Sequence, residues 1–129
     1  MDLLDLPPVG AATWVVADGY IPLGSTGPVP EMLSHDSVCI LNAGGRAAKV
    51  DISVFFTDRD PAGPYTFEIA AHRAHHQRLN DLQGPEPVPV GVDYCLLLRS
   101  DVPIVVQHTR LDSRQAANAL MSTIAYPTA

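Results

Sequence analysis

The chain has 129 residues, a length that suits one ordinary domain. Hydrophobic residues make up 47% of it, enough for one core, yet no run approaches the roughly 20 consecutive apolar residues of a membrane helix. The net charge of −6, with Lys49 the single lysine, disfavours binding driven by phosphate neutralisation, although Arg73, Arg78, Arg110 and Arg114 leave nucleic acid open as a partner.

The start, Met1–Gly10, carries Asp2, Asp5, Pro7 and Pro8. A secretory leader would need a basic beginning and a longer apolar stretch, so a cytoplasmic protein is expected. Ala12–Asp18 reads as the first strand, and Gly19–Pro30, rich in Gly and Pro, as a loop. Ser37–Ala43 is an apolar run suited to a central strand. Gly44-Gly45 after it suits a tight hairpin turn, because glycine tolerates positive φ. In Ala48–Thr57 the residues Ala48, Val50, Ile52, Val54 and Phe56 alternate with mostly polar ones, the period of a strand with one buried face. A turn-rich segment, Asp58–Pro64, leads to a strand from Tyr65 to Ala70. His72–Leu79 is polar on both faces, which marks an edge, an interface or a ligand surface.

Leu82–Gly91 is a Pro-rich loop. Val92–Arg99 and Pro103–Thr109 read as two strands joined by Ser100–Val102. Asp112 with Gln115 makes a capping-box pattern for a short helix with Ala116–Ala119 as its body, and Leu120–Tyr126 reads as a last strand. Turns come too often for βαβ units. The pattern predicts one all-β domain over 1–129, an antiparallel, jelly-roll-like β-sandwich of about eight strands with at most one short helix.

No residue pattern calls for catalysis. Ser34-His35-Asp36 contains the triad residue types, but adjacent side chains on an extended chain diverge. The sequence has no nucleophile elbow, dinucleotide fingerprint or P-loop, so neither an enzyme nor a cofactor is expected. His72 and His76 share one face of their strand and His75 the other, two ligands at best where zinc needs three or four, and no metal is expected. Cys39 and Cys95 lie in apolar runs and read as buried free thiols. The densest polar stretch is Gln107–Gln115, where Arg110 and Arg114 could fork onto carboxylates or phosphates or pin a corner of the fold through an Arg–Asp network.

Within that stretch the sequence becomes familiar. PIVVQHTRLDSRQAANALMSTIAY (Pro103–Tyr126) resembles the sensory rhodopsin transducer family. So, in order, do DGYIP (Asp18–Pro22), GPVP (Gly27–Pro30), SHDSVCILNAG (Ser34–Gly44), D-x-x-P-x-GPY (Asp58–Tyr65) and R-x-N-D (Arg78–Asp81). The resemblance spans roughly Trp14 to Tyr126. It implies a soluble β-sandwich that assembles as a homotetramer and relays a signal by protein–protein contact, from a membrane photoreceptor (a sensory rhodopsin) or another regulator. It also implies two alternatives, a small polar, sugar-like ligand or DNA. His35, His76, Arg78, Gln107, His108, Arg110, Asp112 and Arg114 fall on matching positions and are the candidate ligand- or partner-binding residues.

Overall fold

The computed structural model describes Asp2 and residues 8–128, so most of the Pro-rich start lies outside the described residues. Eight strands follow in order: β1 (Ala11–Tyr20), β2 (His35–Asn42), β3 (Ala48–Phe56), β4 (Ala62–Ile69), β5 (Arg73–Arg78), β6 (Asp93–Asp112), β7 (Ala119–Ile124) and β8 (Tyr126–Thr128). One turn of 3-10 helix, Leu79–Asp81, follows β5. All pairings are antiparallel, as expected for an all-β sandwich.

The architecture turns on β6, whose 20 residues serve two sheets. Its first half lies between β3 and β1, giving the order β4-β3-β6-β1-β8. Its second half lies between β2 and β7, and β5 closes that sheet beyond β2. The two strands expected at Val92–Arg99 and Pro103–Thr109 are therefore one. Ser100–Pro103, which punctuates the sequence, is where β6 leaves one sheet for the other. The register against β1 slips there, from Thr13 opposite Arg99 to Ala11 opposite Ile104. The Trp14 indole donates to the carbonyls of Ala11 (2.9 Å) and Ile104 (3.0 Å) and pins the crossing.

Strict alternation fills the core. Val50, Ile52 and Val54 of β3, Leu96, Leu98, Ile104 and Val106 of β6 and Val38 and Ile40 of β2 are all but sealed from solvent. Burying each such side chain contributes about 1.5–3 kcal/mol, so the two-fold period alone specifies which way each strand faces.

Four local expectations are corrected. Gly44-Gly45 makes no hairpin: β2 pairs with β5 and β6 in one sheet and β3 with β4 and β6 in the other, and neither glycine has positive φ, whereas His72 does, at 57°. Asn42, buried, organises this crossing instead. Its amide donates to the carbonyls of Arg46 (2.8 Å), Ile69 (3.2 Å) and Ala70 (3.2 Å), and its oxygen accepts from Gly44 N (3.1 Å). The segment after Asp112 forms no helix but a loop between β6 and β7, in which the Asp112 carboxylate accepts from Arg114 N at 3.1 Å. That is an Asx turn, which uses the same side-chain-to-backbone bond as a helix cap. The last strand breaks at Ala125, where the chain passes from β7 beside β6 to β8 beside β1. Cys39 and Cys95 are free and half-buried, more accessible than the buried thiols expected.

Candidate functional site

At the end of the sandwich where β1, β2 and β6 meet, a fully buried carboxylate gathers four donors. Asp36 shares the inward face of β2 with Val38, Ile40 and Asn42. Its Oδ2 accepts from the Tyr94 hydroxyl (2.5 Å) and from Tyr20 N (3.0 Å). Its Oδ1 accepts from His108 Nε2 (2.6 Å), and Arg110 Nε lies 3.4 Å away. His108 and Arg110 face inward together because they are two apart on β6, and the β2–β6 register sets Arg110 opposite Asp36. Arg110 also donates to the carbonyls of Tyr20 (3.0 Å) and Asp18 (2.5 Å), clamping the end of β1. A buried charge is tolerable only when paired and hydrogen-bonded, and here the partners come from both ends of β6 and from the end of β1.

Burial raises the Tyr94 phenol well above its ordinary value, and the Asp36 charge and hydrogen bond push it further the same way. Burial likewise raises Tyr65, whose hydroxyl donates to Glu86 O at 2.7 Å. In the unfolded chain both phenols lose their protons near pH 10, while in the folded chain both hold them more tightly. The unfolded state then binds fewer protons, so stability falls as pH rises above about 10. Absorbance at 295 nm should show Tyr94, one of the four tyrosines, ionising only as the protein unfolds, and Tyr94→Phe should flatten the alkaline loss of stability. Ionisation of all four well before unfolding would contradict this.

A second network ties the loops beside this cluster. Ser34 Oγ lies 3.1 Å from Ser113 Oγ and accepts from Ser113 N (3.0 Å), Ser113 Oγ donates to Met32 O, and Thr26 N donates to Ser113 O (2.6 Å). Asp112 and Arg114 form a forked pair at 2.6 Å. The hydrogen bonds from Arg114 hold the Asp112 carboxyl below its usual range, and the Arg114 guanidinium lies 5.9 Å from the Tyr20 ring centre, as does that of Arg110.

Of the eight residues singled out in the sequence, His108 and Arg110 converge on Asp36, with Asp112 and Arg114 on the adjoining loop. The others stand apart. His35 donates to Leu33 O (2.8 Å), Arg78 to Pro30 O (3.0 Å), and Gln107, exposed, to Ser122 Oγ (2.7 Å). His76 is exposed on β5, which pairs with β2 alone and is the polar edge expected. Asp36, Tyr94 and Tyr20 were missed. Ser34, His35 and Asp36 each turn to a different partner, so the three form no relay.

Beside the cluster, a cavity of about 660 Å³ opens between β1 and β8 of one sheet and β7 of the other. Val15, Ala17, Met121 and Ile124 line it with carbon, and His108, Asp18 and Tyr126 are its ionisable groups. A bulge in β1 between Val16 and Gly19 displaces Ala17 and Asp18 at this point.

A search of the curated proteins finds no match. Residues 9–127 match the model of the family described as Anabaena sensory rhodopsin transducer. Among solved structures, the chain is similar to Thermotoga maritima 1070, with 37% identity and a TM-score of 0.83 over 92% of this chain and 96% of that one. It is also similar to the Anabaena sensory rhodopsin transducer itself, with 44% identity and a TM-score of 0.71 over 80% of this chain and all of the other. A match over so much of the chain, joined to the same sandwich, makes this protein a member of the Anabaena sensory rhodopsin transducer family.

Proposed function

We propose that this chain is a soluble signal relay that acts by protein–protein contact, receiving its signal from a membrane sensory rhodopsin or a comparable regulator. The observation that carries the reading is the likeness to the Anabaena transducer, 44% identical over that protein's whole chain. The buried Asp36 cluster suits a relay better than a catalyst. Its donors already occupy the carboxylate, which leaves a rigid end to the sandwich and no free general base.

The surface supplies contact regions. Leu120, Ile124 and Tyr126, on β7 and β8, are 72%, 59% and 70% exposed. Large exposed apolar side chains mark an interaction surface, and a homotetramer would cover them. The open edge of β5, with exposed Arg73 and His76, is a polar surface left for a further partner.

The test is a pull-down of the purified protein against the membrane fraction of its host, with bound proteins identified by mass spectrometry. Recovery of a retinal protein, lost on substituting Arg73 and His76 together by Glu, is the expected result. Failure to retain any retinal protein would overturn the photoreceptor relay. Light scattering of the same preparation should give four times the chain mass.

A further inference from the structure

We propose that β5 is a docking edge that takes an extended acidic segment of the partner protein as an added antiparallel strand. The proposal rests on the contact reading above and specifies how that contact is made. β5 hydrogen-bonds to β2 alone, in a register that runs without a slip from Ser37 opposite Arg78 to Asn42 opposite Arg73. A strand paired on one side turns the N–H and C=O of alternate residues outward, where a further strand can take them up. Among the described residues, no other hydrogen bond engages the backbone of residues 73–76. The edges of the other sheet, β4 and β8, carry Pro64 and Pro127, and proline blunts such pairing. β5 has neither proline nor bulge.

Charge selects the occupant. The chain as a whole carries −6, yet from Ile69 to Asn80 it holds Arg73, Arg78 and three histidines and no carboxylate. Neither guanidinium has an acidic partner among the described residues. Arg73 bonds only to the neighbouring carbonyls of Ala71 and His72, and Arg78 to that of Pro30. Five positions apart, the two arginines stand on opposite faces of β5, so an antiparallel strand meets both with carboxylates five residues apart. Opposite charges across a strand pair stabilise it, and like charges destabilise it. A second copy of β5 would set Arg73 against Arg78 and is disfavoured. None of the other edge strands, β4, β7 and β8, holds two carboxylates, so the occupant is a segment of a different protein. Between the arginines, His75 stacks on Phe67 with ring centres 4.9 Å apart. Phe67 is only partly buried, and an apolar side chain opposite His75 would extend its cover.

The test uses the purified full chain and two end-capped synthetic peptides, Glu-Val-Thr-Val-Thr-Glu and Lys-Val-Thr-Val-Thr-Lys, followed by amide chemical shifts and hydrogen exchange. The acidic peptide should bind at least about tenfold more tightly than the basic one, the effect of turning two cross-strand pairs from opposite to like charge. Arg73→Glu, at an exposed position with only local bonds, should remove most of that preference. Bound acidic peptide should slow exchange at alternate amides of β5, the set that β2 leaves free. Equal binding of the two peptides, or none, would overturn the acidic occupant, and binding that protects no β5 amide would overturn strand addition. A fall in mass on light scattering of Arg73→Glu would place a second copy on the edge and overturn the proposal as well. The outcome does not depend on the pull-down. A retinal protein recovered by a chain that binds no acidic peptide would overturn the added strand and leave the relay, and a bound peptide without a retinal protein would do the reverse.

Discussion

Asp36→Ala will lower folding stability by about 3–5 kcal/mol, the cost of removing one partner from a buried ion pair. The carboxylate is wholly buried, and its loss strands the Tyr94 hydroxyl, Tyr20 N and His108 Nε2 in a low-dielectric interior while Arg110 loses its buried counter-charge. Asp36→Asn keeps the shape and one acceptor but turns an NH2 toward groups that donate, so it should fall between alanine and the native protein. Tyr94→Phe removes one hydrogen bond to a charged group and should cost about 1.5–3 kcal/mol. The Asp36→Asn/Tyr94→Phe double variant should lose less than the sum of the single changes, because the two side chains share one interaction. Urea unfolding measures all of these. A loss below about 1 kcal/mol for Asp36→Ala would mean that the cluster does not hold the end of the sandwich together.

The alternation in β3 and β2 was legible because burying one face of a strand writes its period into the chain. By the same rule Asp36 shares parity with Val38 and Ile40, and Tyr94 with Leu96 and Leu98. A carboxylate and a phenol in otherwise apolar series were visible signals that went unused. Their meeting was not visible, since Asp36 and Tyr94 are 58 positions apart and Asp36 and His108 are 72 apart, and pairing at that range depends on the strand order. The same limit explains β6. Ser100, Asp101 and Pro103 look like the end of a strand, but Asp101 accepts from Lys49 N (2.8 Å) and Ser100 Oγ from Val102 N (3.3 Å), so polar side chains cover the backbone where the strand changes sheets. Asp112 misled for a related reason, because its bond to Arg114 N follows local chemistry that a helix cap and a loop share. Of the eight residues chosen from the motif, the ones that meet in space come from one strand end and its loop, while His35, His76, Arg78 and Gln107 stand on other surfaces.

Gly19→Ala will damage the cluster without touching any of its polar groups. Gly19 is buried at the end of the β1 bulge and pairs with Tyr94. A Cβ there would lie 2.3 Å from Tyr94 Cε1, 2.4 Å from Cδ1 and 2.7 Å from the Tyr94 backbone oxygen. The ring has no room to retreat, since its hydroxyl is held by Asp36, and the backbone oxygen belongs to the β1–β6 ladder. Overpacking of this kind typically costs 1–3 kcal/mol, and a clash with both ring and backbone places it at about 3 kcal/mol. The position of the damage distinguishes this from general destabilisation. Displacing the Tyr94 ring weakens its bond to Asp36, so Tyr94→Phe, measured by urea unfolding in the Gly19→Ala background, should cost less than half of what it costs in the native chain. Full additivity of the two changes would show that β1 yields to the methyl group and leaves the phenol in place.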